Sequence, residues 1–174
     1  MIKRLALATL ALGFSGLLLA QTQAVRDQLF GPTDALKKSA DAVHAKMLGP
    51  DAYAQAMELY KDAGDTLAKG KDINSVKEDL SKADGLFKKS TDAAKLAQVT
   101  FADTLTARTA AEKAEAAKYA AKDWDKGEGE LKDAAQQLEE GNLNKAQNTV
   151  EDATKYYKSA ESKAVNEKAK AAHK

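Results

Sequence analysis

Cysteine is absent from the chain, which rules out disulfides, thiolate metal sites and thiol nucleophiles together. Histidine is nearly as scarce. His44 stands three residues after Asp41 and three before Met47, and His173 adjoins the C-terminus. A metal site takes three or four convergent ligands. No second histidine lies near His44, so no metal or cofactor is expected. No Ser/His/Asp set stands at identifiable positions either, and no catalytic residue is assigned. Proline occurs only at Pro32 and Pro50, and neither glycine nor proline interrupts Leu86 to Lys126. Aromatic residues make up 6% of the chain, so the few present must carry much of the packing specificity. Neither sign of charge dominates: 27 basic residues face 26 acidic ones, with no clustered basic excess for nucleic acid.

One long apolar run is present, and it comes first. Lys3 and Arg4 precede "LALATLALGFSGLLLA", Leu5 to Ala20. The run is shorter than the about 20 residues of a membrane span and suits a signal-peptide core. Thr22 and Ala24 fit a small-residue cleavage site, which gives a mature start at Val25, with Gln21 as the alternative. Residues 1–24 are therefore read as an export signal and the mature chain as periplasmic or secreted, with no stable membrane insertion after cleavage. "LLLAQ" is similar to a lipoprotein box, but Gln21 stands where the lipidated cysteine would be, so acylation there is chemically impossible. No twin-arginine signature is present.

The remainder is dominated by Ala, Lys, Asp, Glu and Leu, with 30% charged residues, a composition of long helices or coiled coils. No segment alternates as a strand would. The chain also repeats itself. At an offset of 71, Tyr53 falls on Trp124, Tyr60 on Leu131, Ala63 on Ala134, Leu67 on Leu138 and Gly70 on Gly141. One residue is lost in the turn. At an offset of 70, Asp72 falls on Asn142, Ile73 on Leu143, Leu80 on Val150 and Phe87 on Tyr157. Any two alanine-rich helices self-align fairly well, so the turn is the specific part. Gly70 and Gly141 suit a left-handed helix C-cap. Asp72 and Asn142 suit the next N-cap.

Each repeat then predicts a helical hairpin. Tyr53, Met57, Tyr60, Gly64 and Leu67 face Ile73, Val76, Leu80, Ala83, Phe87 and Ala94. In the second, Trp124, Leu131, Ala135 and Leu138 face Leu143, Ala146, Val150, Ala153, Tyr157 and Ala164. The stripes are narrow, coiled-coil-like, alanine-rich seams. The expected fold is all-α: tandem antiparallel hairpins at 25–104 and 105–174, arranged as an elongated rod or as a four-helix up-down bundle. An earlier helix is expected over 34–48, broken at Gly49-Pro50. The join near Thr100–Thr106 has no breaker, which favours a long or gently kinked central helix. Counting outward from the turns brings Trp124 level with Tyr157 and Tyr53 with Phe87. Acid-before-base pairs at i, i+4 explain much of the charge: Asp34–Lys38, Asp65–Lys69, Glu78–Lys82, Asp84–Lys88, Glu128–Lys132 and Glu151–Lys155. Gly127-Glu128-Gly129 is crowded by carboxylates and is no phosphate loop; local flexibility or close packing is its expected role. Glu139 and Glu140 diverge around a helix axis and form no acid–base pair.

The segment "AAKYAAKDWDKGEGELKDAAQQLEEGNLNKAQNTVEDATKYYKSAESKAV" resembles the bacterial envelope family called domain of unknown function 4398. The matching positions are Tyr119, Ala120, Trp124, Leu138, Gly141 and Ala146; Lys122 departs from the family's proline, whereas the first repeat keeps Pro50. The resemblance implies an all-α exported protein without catalytic residues, often associated with an OmpA-like peptidoglycan-binding domain, which this sequence does not contain. The expected function is a non-enzymatic scaffold or adaptor of the cell envelope, with another envelope protein or a cell-wall component as partner and self-association open to it. One alternative is a stress-protective or holdase-like helix, since "AAEKAEAAKYAAKD" is similar to late-embryogenesis-abundant repeats. Another is reversible membrane-surface binding, which the narrow apolar stripe and balanced charge disfavour.

Overall fold

The computed structural model describes residues 14–70 and 72–173, with side chains from Gln23 onward. Most of the expected export signal lies outside that description. Among the described residues there are eight helices and no strand: α1 Phe14–Ala42, α2 Ala45–Leu48, α3 Pro50–Ala68, α4 Ile73–Thr100, α5 Ala102–Lys113, α6 Ala116–Tyr119, α7 Ala121–Glu139 and α8 Leu143–Ala172. No described helix is long and apolar enough to cross a membrane.

The turns behave as their residues dictate. Gly70 and Gly141 take φ of +63° and +80°, a region that costs other residues a Cβ clash. Around Gly141 the N–H of Asn142 donates to the Gln137 carbonyl and that of Gly141 to Leu138, so two orphan carbonyls of α7 are satisfied. Asp72 caps α4 by accepting from the Asn74 N–H at 3.0 Å. Asn142 does not cap α8. Its side-chain amide donates to Glu140 at 3.0 Å.

The 71-residue register extends further than the turns. His44 and Glu115 both adopt left-handed φ, at 57° and 63°. Gly49 and Ala120 share another non-helical geometry, with φ of −144° and −142°. Phe30 and Phe101, Thr33 and Thr104, Ala40 and Ala111, and Ala45 and Ala116 are all buried. Each repeat is therefore a long helix, a single-turn helix and a hairpin, beginning at Phe30 and again at Phe101. The expected division at 104/105 falls inside α5.

Several expectations need correction. The helix expected over 34–48 instead runs back to Phe14 and stops at Ala42, with α2 beyond the left-handed His44. It passes through Pro32, whose missing N–H and ring cost about 3 kcal/mol in a helix. Burial of Phe30, with Leu29 packed against Ala63, Val76 and Leu80, offsets that cost. Ile73 and Leu143 do not join the seams. They sit in the first turns of α4 and α8, 46% and 45% exposed. Of the six acid-before-base pairs only Glu78–Lys82 forms, at 2.7 Å. Asp34 and Glu128 turn inward to tyrosines, while Asp65 pairs with Lys61 and Lys155 with Asp152.

Helices α7 and α8 run antiparallel, as Gln137–Thr149 and Asp123–Ser159 show, and α3 and α4 do likewise across the Gly70 turn, where Tyr53 reaches Phe87. Helix α5 lies parallel to α8: Thr104 meets Val150 and Thr154, and Glu115 meets Lys168 farther along. Helix α1 lies on α4 in the same sense, and Gln98 donates to the Val43 carbonyl freed by the break after α1. Between the repeats only Phe101 interrupts the helix. Its N–H donates to Ala97 and its carbonyl accepts from Leu105, so the hydrogen-bond ladder continues through a kink. The second repeat extends beyond the first instead of folding back beside it. The repeats touch where α7 meets α2, α4 and α3, with Gln136 and Glu139 at its end against the start of α3.

Candidate functional site

Three polar–aromatic clusters tie the outer helix of each repeat to its hairpin. In the first, Phe30 and Tyr60 meet edge to face with ring centroids 5.3 Å apart. The Tyr60 hydroxyl donates to Asp34 at 2.5 Å and accepts from Arg26 at 3.1 Å. The Arg26 guanidinium also lies 4.9 Å from the centre of the Phe30 ring. In the second, Tyr53 and Phe87 pack at 5.7 Å, and the Tyr53 hydroxyl donates to Asp41 at 2.5 Å. Lys37 holds the same Asp41 at 2.8 Å.

The third cluster belongs to the second repeat. Trp124 and Tyr157 pack at 5.6 Å with ring planes inclined at 63°. The Tyr157 hydroxyl donates to Glu128 at 2.6 Å. Arg108 grips that carboxylate through Nε at 2.7 Å and Nη2 at 3.1 Å, and its guanidinium lies 5.2 Å from the centre of the Trp124 ring. In the repeat register Lys37 corresponds to Arg108, Tyr53 to Trp124 and Phe87 to Tyr157. The hydroxyl has moved from α3 to α8, and its acceptor has moved from Asp41 on α1 to Glu128 on α7. Ala56 opposite Phe87 becomes Gly127 opposite Tyr157.

The electrostatics follow from this geometry. Burial, and then a carboxylate neighbour, push the Tyr53, Tyr60 and Tyr157 phenols above the ordinary tyrosine range. The hydrogen bond from Lys37, followed by that from Tyr53, holds Asp41 below the usual carboxylate range. The hydrogen bond to Glu128 raises Arg108. At the start of α7, Lys163 and then Ser159 hold Asp123 low, at 2.5 Å and 2.6 Å. All these shifts move their groups away from neutrality. A general acid or base works best with its pKa near the operating pH, so the clusters are arranged as fixed donors and acceptors.

Of the residues singled out from the sequence, Tyr53 meets Phe87 and Trp124 meets Tyr157. Phe87 and Tyr157 are fully buried, Tyr53 is nearly so, and Trp124 is partly covered. The charged partners Lys37, Asp41, Arg108 and Glu128 were not anticipated, nor was the whole Arg26–Phe30–Asp34–Tyr60 cluster. One signal was available: Arg26 and Arg108 are the only arginines after Arg4, and both sit against aromatic rings. His44 lines an open cleft of about 720 Å³ with Met47, Leu105, Arg108 and Glu112. No group of three or more metal-ligating side chains occurs among the described residues. No protein-family model, curated protein or solved structure matches the chain.

Proposed function

We propose that the protein is a non-enzymatic scaffold or adaptor of the bacterial cell envelope, exported by residues 1–24. The observation that carries this reading is the use made of its polar side chains. Asp34, Asp41, Asp123 and Glu128, which could otherwise offer chemistry, are engaged in holding helices together. Their tyrosine, lysine and arginine partners are engaged with them. What remains for recognition is the outer surface of a stiff helical frame, displayed toward another envelope protein or a cell-wall component. The resemblance to domain of unknown function 4398 read from the sequence of 116–165, which no family model matches, implies the same setting.

Two measurements test the proposal. N-terminal sequencing of the exported protein should give Val25, or Gln21; an intact Met1 in the exported fraction overturns the export step. Photo-crosslinkers at the exposed positions Lys77, Lys122 and Lys158 should capture a defined partner in envelope fractions. Failure to retain any component at all three positions counts against an adaptor.

A further inference from the structure

We propose that Glu139 is a latch that locks the two repeats into one rigid body, and that Phe101 is the hinge the latch holds. The inference starts from a local defect in α3. The first N–H groups of a helix need partners from outside it, and Ser, Thr, Asp or Asn at the N-cap normally supplies one. Here the N-cap is Gly49, and no capping side chain fits. A Cβ at Gly49 would stand 2.5 Å from the Ser90 carbonyl oxygen, which belongs to the backbone of α4 and cannot swing away. Pro50 at the first helical position removes one orphan donor. The N–H groups of Asp51 and Ala52 still need an acceptor.

The second repeat provides it. Glu139, in the last residue of α7, accepts from the Asp51 N–H at 2.8 Å and from the Ala52 N–H at 3.2 Å. A carboxylate also suits the positive end of the α3 dipole. One turn earlier, Gln136 donates to the Asp51 side chain at 2.7 Å, so Asp51 is held through both its backbone and its carboxylate. The repeats share one covalent connection, through the kink at Phe101, where φ is −109° and ψ is 21°. A single kinked helix permits bending between the two units. The Glu139–α3 contact, beside the packing of α7 on α2 and α4, opposes it from a different pair of helices.

The register shows that this joint is particular to the middle of the chain. At the top of the second repeat, Asp123 stands where the first repeat has Ala52. Each helix has an acid of its own in the first turn, Asp51 in α3 and Asp123 in α7, but Asp123 is clamped within its repeat by Ser159 and Lys163, whereas Asp51 is held by Gln136 of the other repeat. At the base of the first repeat, Ala68 stands where the second has Glu139, and Asp65 where the second has Gln136. In this register the carboxylate that caps α3 stands at 139, at the joint, and its equivalent at 68 is an alanine.

The absence of cysteine makes the test direct, because introduced thiols are the only ones. Spin labels at Ser81→Cys in α4 and Ser162→Cys in α8 report the distance between repeats, and both positions are exposed. The otherwise native protein should give one narrow distance distribution. Glu139→Ala should broaden or shift it, while Glu140→Ala, in the same turn but off the joint, should leave it unchanged. A second label pair within the second repeat, Lys132→Cys with Ser162→Cys, should keep its native distance in Glu139→Ala. An unchanged Ser81–Ser162 distribution in Glu139→Ala overturns the latch. Broadening of the Lys132–Ser162 distribution overturns the hinge, since the second repeat would then be loosening internally.

Discussion

Gly127 presses on the ring of Tyr157: a Cβ at Gly127 would lie 2.8 Å from Cε1 and 2.9 Å from Cδ1. The ring cannot withdraw, because it is fully buried and its hydroxyl is tied to Glu128. Gly129, one residue beyond Glu128, has nothing within 4 Å of its would-be Cβ. Alanine in place of a mid-helix glycine gains about 1 kcal/mol in propensity, whereas overpacking costs about 1–3 kcal/mol. Gly127→Ala should therefore lower the melting temperature, and Gly129→Ala should raise it slightly. Thermal unfolding of the two variants decides, and equal stabilisation by both would refute close packing at Gly127.

Tyr157→Phe should cost about 1.5–3 kcal/mol, the usual range for a hydrogen bond to a charged group. It should also change the alkaline limb of the stability curve. The folded-state pKa of Tyr157 lies above its unfolded value. Its contribution is therefore complete below about pH 10 and is lost as pH rises beyond that, when the unfolded chain releases a proton that the folded chain retains. Denaturant unfolding of native protein and variant between pH 8 and 11 should show the gap between them narrowing above about pH 10. A gap that is constant across this range would count against the buried hydroxyl.

Trp124→Ala should destabilise by less than the about 3–5 kcal/mol of a fully buried tryptophan, since Trp124 is only partly covered. The loss includes the edge-to-face contact with Tyr157, about 0.5–1.5 kcal/mol beyond burial, and the Arg108 contact. A ligand platform would instead leave the melting temperature unchanged.

Heating the mature protein in dilute buffer should give a cooperative loss of helical circular dichroism. Phe30, Phe87, Phe101, Leu131 and Tyr157 form buried anchors that a disordered stress-protective chain would not need. Helix that develops only on drying would favour the stress-protective reading over the scaffold.

The hairpins were legible because their signals are local. Gly70 and Gly141 mark left-handed caps, the apolar stripe sets the seam, and equal rise along antiparallel helices places Trp124 beside Tyr157. The breaks at Glu115 and Ala120 were harder to see, for neither residue is a breaker. The break at Ala120 was recoverable only by carrying Gly49 forward by 71 positions, and the one at Glu115 had no counterpart signal, since His44 reads as mid-helix too. The pairing of Lys37, Asp41, Arg108 and Glu128 was obscured because each also suits a solvated helix face. Local sequence offered such residues partners four positions away, and the fold offered buried phenols.

The sequence by itself determined the helical class, the doubled unit, its turns and the level at which the aromatic rings meet, since propensity, capping and periodicity act over a few residues. Tertiary structure alone decided which carboxylate serves which tyrosine, why Gly49 and Gly127 must stay small, and how the repeats join. A charge far along the chain takes a desolvated phenol or an orphan N–H over a solvated neighbour because an unsatisfied buried group is costlier than a surface ion pair is favourable. Glu139, 88 residues after Asp51, is held at the first turn of α3 for that reason.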